Sequence, residues 1–296
     1  MRAFDFFSPQ TLTEAKALLN QYGEVASILA GGTDLVIEIN EGHTKPDVVI
    51  DIKKLKELEY IRIDGELIRI GALTSFDRIG QSSIIKEQVR VLYEAASKVG
   101  SPQIRCLGTI GGNLSTASVA GDGVSAMMTL GASVVLESQR GTRVMPLAEF
   151  LDGKGVSNRN ALQADEIMTE VFFSRPDEYT ATAFYKLAKR KSLAISVIGA
   201  GMLVQVDQAG ICTRASLRGG CLARYPLHFK EAEAHLLGKK ITMALLTETL
   251  PMLHDAVYES AKSRPWSVFY KKESVQGVYR KLFDSILEQL DGKSDE

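Results

Sequence analysis

Residues 29–35, LAGGTDL, and residues 108–118, GTIGGNLSTAS, each set two adjacent glycines between an apolar run and hydroxyl or amide side chains. Bare backbone of this kind turns sharply and can present several N–H groups to one anionic cluster. A helix beginning just beyond adds its unpaired amides and its dipole. Phosphate is the usual guest of such a nest, and Thr33, Thr109 and Asn113 can add hydroxyl and amide donors. A lone glycine pair is commonly only a turn. Two pairs in the same order, 80 residues apart (31 to 111), suit a ligand with two phosphates. Neither pair fits GxGxxG or a P-loop, and no lysine follows to hold a γ-phosphate. A pyrophosphate-linked dinucleotide such as FAD therefore fits better than a nucleoside triphosphate.

The elements that must position these segments can be read from periodicity and punctuation. Thr13 to Tyr22 carries Ala15, Leu18, Leu19 and Tyr22 at helical spacing, with Gly23 placed to end the helix. VASILA reads as a buried strand, GGTD as a turn, and LVIEIN as either a short helix or an extended run. DVVIDI and LIRIGA are strand candidates separated by the polar KKLKELEYIRIDGE. VRVLYEAASKV forms an amphipathic helix ended by Gly100, SPQIRC leads into the second glycine pair, and GVSAMMTLGA follows as a helix. SVVLESQRGTRVMPL is a hairpin with Gly141 at its tip. Beyond FFSRPDEYTA the texture changes to a small sheet followed by helices from His228 onward. Strands alternating with short helices imply a mixed α/β or α+β domain.

At 296 residues the chain is long enough for two domains and a cofactor-sized cleft. Lys plus Arg total 35 against 36 acids, so no broad basic field exists for nucleic acid or anionic lipid. The three cysteines form no CxxC or CxC, and the four histidines no HxH or HExxH, which argues against a metal site in this chain. Reduced thiols, the lack of a signal-peptide core in MRAFDFFSPQ, and the short, interrupted apolar stretch AISVIGAGMLVQV predict a cytoplasmic protein without a membrane span.

Taken together, LAGGTDL, GSPQIRCLGTIGGNLSTAS and AFYKLAKRK resemble the FAD-binding subunits of the molybdenum hydroxylases, the group that contains xanthine, carbon monoxide and nicotinate dehydrogenases. The likeness runs from Phe4 to about Leu290. It implies a PCMH-type-like FAD-binding domain over 1–176, made of two α+β subdomains (about 1–55 and 56–176). A smaller C-terminal domain of a small sheet plus helices is implied over 177–296.

Carried over residue by residue, the resemblance assigns Leu29, Ala30, Gly31, Gly32, Thr33, Asp34 and Leu35 to the first diphosphate loop. Thr109, Gly111, Gly112 and Asn113 make the second, with Ile110 near the isoalloxazine ring. Asp122 falls where relatives contact the ribityl region, although Ser118 is here followed by Val119 rather than proline; a helix N-cap explains Asp122 equally well. Met168 and Lys186 match positions that approach the flavin. A cation near the ring would favour the anionic reduced form, while the plain reading of KLAKRK is a solvated basic face. Gly71 and Thr74 resemble a segment closing over the cofactor, and a strand-ending turn accounts for them too. Cys106 reads as a small buried apolar residue, and Trp266 and the aromatic residues of SVFYKKESVQGVYRKLF as core.

The resemblance further implies that iron–sulfur clusters of the two-iron two-sulfur kind and molybdopterin sit on partner subunits, a small and a large one. Electrons would pass through FAD to an external acceptor such as NAD(P). The whole complex would hydroxylate an N-heterocycle, a purine or a similar small molecule. No nucleophile or general base is expected here, in keeping with the lack of a Ser/His/Asp or Cys/His set. Two other readings stay open at this stage: a self-contained FAD-dependent oxidase or dehydrogenase, and a non-redox phosphate-binding module.

Overall fold

Local sequence accounts for the first elements. After β1 (Asp5–Phe7), the Thr11 hydroxyl accepts the Glu14 N–H and caps α1 (Leu12–Tyr22), which Gly23 stops at φ +51°. Then come β2 (Ala26–Leu29), α2 (Leu35–Asn40) and β3 (Val48–Asp51). The three strands form a parallel sheet in the order β1-β3-β2. Every residue of the central β3 is buried, as a middle strand of β-branched residues should be. Ala15 and Leu19 of α1 share its core cluster. LVIEIN is thus a helix. VASILA is a strand over Ala26–Leu29, but that strand lies at the sheet edge and is half-buried, not buried.

This computed structural model describes residues 3–152, 155, 159–190, 193–261 and 265–291. A second sheet, wholly antiparallel, begins with β4 (Ile61–Asp64) and β5 (Leu67–Gly71). Six helices follow: α3 (Phe76–Gln81), α4 (Ser83–Gln88), α5 (Arg90–Lys98), α6 (Pro102–Leu107), α7 (Ile110–Thr116) and α8 (Asp122–Leu130). The hairpin β6 (Ser133–Ser138) and β7 (Gly141–Pro146) turns at Gly141, φ +135°. α9 (Leu147–Asp152) and β8 (Ile167–Ser174) complete the order β4-β5-β8-β6-β7. The polar stretch before LIRIGA therefore contains a strand, and SPQIRC lies in a helix.

The last sheet has β9 (Thr180–Ala188), β10 (Ser196–Val206), β11 (Cys212–Gly220) and β12 (Leu227–His228), neighbours in reverse order. Helices α10 (Lys230–Leu236), α11 (Met243–Glu248), α12 (Leu250–Ala261) and α13 (Pro265–Asp291) follow. Alternate residues of β10 serve opposite faces. Ile198, Ala200, Met202 and Val204 join the core built with Val275, Tyr279 and Phe283 of α13. Gly199 and Gly201, with Gly220 of β11, are bare on the other face, where side chains of α8 press in. A Cβ on Gly201 would overlap Thr129, and one on Gly220 would overlap Ser125.

The chain separates into two compact units with alternating segments. One comprises Met1–Ile79, Pro102–Ala117 and Gly131–Ser174; the other comprises Gly80–Ser101, Ser118–Leu130 and Arg175–Glu296. The first holds the parallel and five-stranded sheets, the second the four-stranded sheet and its helices. Among the described residues no helix is long and apolar enough to cross a membrane.

Ile50, fully buried at the centre of β3, carries much of the parallel sheet's packing. Ile50→Ala is expected to cost about 2–5 kcal/mol of stability by cavity formation. Urea unfolding of the variant measures this directly, and a loss below about 1 kcal/mol would show that the sheet repacks.

Candidate functional site

The first unit brings the two glycine segments into contact. A Cβ on Gly31 would overlap the backbone carbonyl of Leu107, one residue before the second segment. A Cβ on Gly108 would lie 3.0 Å from the Ile104 carbonyl oxygen and 3.6 Å from Thr33 Oγ1. Only glycine permits backbone to meet backbone this closely.

Gly32 adopts φ +74°, the left-handed conformation that turns successive N–H groups to one side. Its carbonyl accepts the Val36 N–H at 3.3 Å, leading into α2. Among the described residues, no acceptor takes the N–H of Gly31, Gly32, Thr33 or Asp34. Asp34 makes no side-chain cap on α2, and Thr33 only a long 3.4 Å contact to Asp34 Oδ2. Four consecutive backbone donors are thus unspent in a half-exposed loop beside bare Cα atoms, the equipment an anion needs.

The second segment is built differently from the first. Its glycines are not at a strand end but in the first turn of α7, with Thr109 as N-cap in extended backbone. The Thr109 hydroxyl accepts the Gly112 N–H at 3.1 Å, and Gly111 donates to the Ala72 carbonyl at 2.9 Å. Those two amides are therefore occupied, and neither glycine has positive φ. Gly111 is bare because a Cβ would come within 2.6 Å of the Ala72 Cβ. Around the glycines, the donors left among the described residues are the Thr109 N–H, the Thr109 hydroxyl proton and the Asn113 side-chain amide. Asn113 Oδ1 is buried with no hydrogen-bond partner, a polar group that normally calls for one.

The remaining positions divide between the units. In the first, Ile110 is fully buried and Met168, on β8, nearly so. Gly71 ends β5 where a Cβ would overlap the Leu58 carbonyl, so its bareness serves the chain's own packing. Thr74 closes the following turn: its hydroxyl donates to the Tyr60 carbonyl at 2.9 Å and accepts the Tyr60 N–H at 3.1 Å. Leu29 and Ala30 are half-buried at the end of β2 and Leu35 opens α2. Cys106 is exposed on α6, not buried as its apolar character suggested.

In the second unit, Lys186 is no part of a solvated face. It lies on β9, donates to Asp122 Oδ2 at 2.7 Å and to the Lys98 carbonyl at 2.9 Å, and has a side chain only 10% exposed. Asp122 opens α8 but spends its carboxylate on Lys186 and on the Ser196 hydroxyl, which donates at 2.5 Å. Gly199, opposite Lys186 in register, admits that carboxylate: a Cβ there would lie 3.0 Å from Asp122 Oδ1. Burial pushes the Asp122 carboxyl upward, against the pull of Lys186 and Ser196.

Unspent amides beside bare glycines suit an anionic ligand without a Rossmann motif. The family model described as the FAD binding domain in molybdopterin dehydrogenase matches residues 2–176, and that of the CO dehydrogenase flavoprotein C-terminal domain matches 183–286. The chain is 66% identical over 297 residues to the nicotinate dehydrogenase FAD-subunit of Eubacterium barkeri, covering 100% of both. It is 31% identical to the caffeine dehydrogenase subunit beta of Pseudomonas sp. (strain CBB1), covering 81% of this chain and 80% of that one. Carbon monoxide dehydrogenase from Hydrogenophaga pseudoflava superposes with a TM-score of 0.83 at 26% identity, covering 97% of this chain and 98% of the other. The protein is an oxidoreductase subunit with an FAD-binding domain. It belongs to the FAD-binding subunits of the molybdenum hydroxylase family.

The unspent loop amides and the bare glycines fit this cofactor's diphosphate, and the orphaned Asn113 oxygen, an acceptor, fits one of its hydroxyl donors. Gly31→Ala, which must push the Leu107 backbone away, is expected to strip most FAD from the purified chain, read as flavin absorbance per polypeptide. Gly80→Ala, with nothing within 4 Å of the added methyl, should retain it; equal retention by both variants would contradict the cradle. Removing the buried cation by Lys186→Met leaves Asp122 unpaired and should cost about 3–5 kcal/mol. Adding Asp122→Asn should recover most of that loss in urea unfolding, and no recovery would refute the pairing.

Proposed function

We propose that this chain is the FAD-carrying electron-transfer subunit of a multi-subunit dehydrogenase that hydroxylates an N-heterocycle, nicotinate or a close relative. The observation that carries the reading is the 66% identity, end to end, with a nicotinate dehydrogenase FAD-subunit. In this reading a small subunit holds two-iron two-sulfur clusters, a large one holds molybdopterin, and NAD(P) is the external acceptor. FAD, when bound, accepts electrons singly and releases them in pairs.

The chain's own part is binding and orientation. Amides of residues 31–34 and the Thr109 and Asn113 side chains would hold the diphosphate, with charge-assisted bonds at the loop. Ile110, Met168 and Gly71, enclosed by the chain, would set the shape behind the cofactor. Asp122 and Lys186 carry over from the family likeness as further cofactor residues. The Lys186 ammonium has three donors and spends two within the chain, leaving one to offer. Three free cysteines suit a reducing, cytoplasmic setting.

A tagged chain expressed in its native host should co-purify with iron and molybdenum, and its flavin absorbance should bleach with NADH or NADPH. A chain that purifies without either metal and oxidises a small substrate by itself would overturn the proposal in favour of a self-contained flavin enzyme.

A further inference from the structure

The helix that carries the second glycine pair cannot hold itself in place. α7 has seven residues, fewer than a helix needs to persist in water, and its two glycines weaken it further. Its N-terminal turn is fixed by the bond from Gly111 to the Ala72 carbonyl and by the bond from Ile110 to the Thr74 carbonyl. Its C-terminal turn, which ends at Ala117 in left-handed backbone, has carbonyls with no intrahelical partner. One of these, on Ser115, accepts a 2.6 Å hydrogen bond from Asn160 Nδ2.

Asn160 is 1% exposed and committed at both ends of its amide, since Oδ1 accepts the Leu162 N–H at 3.0 Å. The backbone beside it is clamped in turn. Ala161 donates its N–H to the Phe150 carbonyl at 2.7 Å and accepts from Arg143 Nη2 at 2.6 Å. Arg143 also grips the buried Glu166 with bonds of 2.7 and 2.8 Å. Arg143 of β7, itself held by Glu166, thus fixes the Ala161 backbone, and the neighbouring Asn160 carries that anchorage to the far end of the glycine helix.

We infer that Asn160 is a positioning residue for FAD: it never touches the cofactor, but it sets the placement of α7 and hence of Thr109 and Asn113. This rests on the assignment of FAD to the glycine segments. Asn160→Asp keeps the shape and replaces the donor with a carboxylate facing the Ser115 carbonyl. FAD titration of the flavin-stripped full chain, well below its melting temperature, should give a Kd weaker by roughly ten- to a hundredfold. Amides 110–117 should exchange faster. Val134→Ala, a buried change in β6, should lower the melting temperature and leave the FAD Kd unchanged.

An Asn160→Asp chain that melts earlier yet binds FAD as tightly as the parent would overturn the inference while leaving the flavin reading intact. A parent chain that binds no FAD would end both. Should the variant fail to fold, the parent chain supplies the test. FAD should slow exchange in 110–117 and 159–163 together, and an unaffected 159–163 would refute the link.

Discussion

The absence of a Cβ on Gly31 is the constraint from which the site follows. It lets the backbone that leaves β2 lie directly against the Leu107 carbonyl at the end of α6, so that two segments far apart in sequence share one surface. The positive φ of Gly32 and the unspent amides of residues 31–34 lie beside that approach. Backbone so close to backbone also leaves little freedom. An anion site assembled this way would be preorganised, with little binding energy lost to ordering the loops.

The two segments use glycine for different purposes. At Gly31 and Gly32 it frees amides and permits a left-handed turn. At Gly111 it permits close packing on Ala72, and the amides it carries are spent inside the chain. The second segment therefore contributes side chains and a helix end more than bare backbone. A similar economy governs the second unit, where Gly199, Gly201 and Gly220 let α8 settle on its sheet and let the Asp122 carboxylate reach Lys186 and Ser196.

Much of this was legible in the sequence. The cap-and-stop pattern around α1, the β-branched runs of β3 and β5, the hairpin at Gly141 and the LAGGTDL turn each carry a local signal that packing reinforces. β4 escaped notice because Arg62 and Asp64 lie between and after Ile61 and Ile63 on an edge strand, where polar residues face water. The second glycine pair reads as a turn because glycine usually punctuates; the competing signal, Thr109 as an N-cap, decides in favour of a helix. The solvated look of KLAKRK hid the buried pair that Lys186 makes with Asp122, because Lys186 lies within β9 while the exposed Lys189 and Arg190 lie beyond its end. Cys106 faces out because α6 presents that side to solvent. Asn160 had no signal at all: an asparagine in GVSNRNALQ looks like any loop residue, and its role arises only from a contact 45 positions away along the chain.

A crystal structure of the FAD-loaded chain tests the central claim most directly. The account predicts both phosphates seated against the loop of residues 31–34, with oxygens about 3 Å from those amide nitrogens, and Thr109 and Asn113 turned toward the same bridge. A diphosphate bound elsewhere, with the amides of residues 31–34 still facing only water, would contradict it.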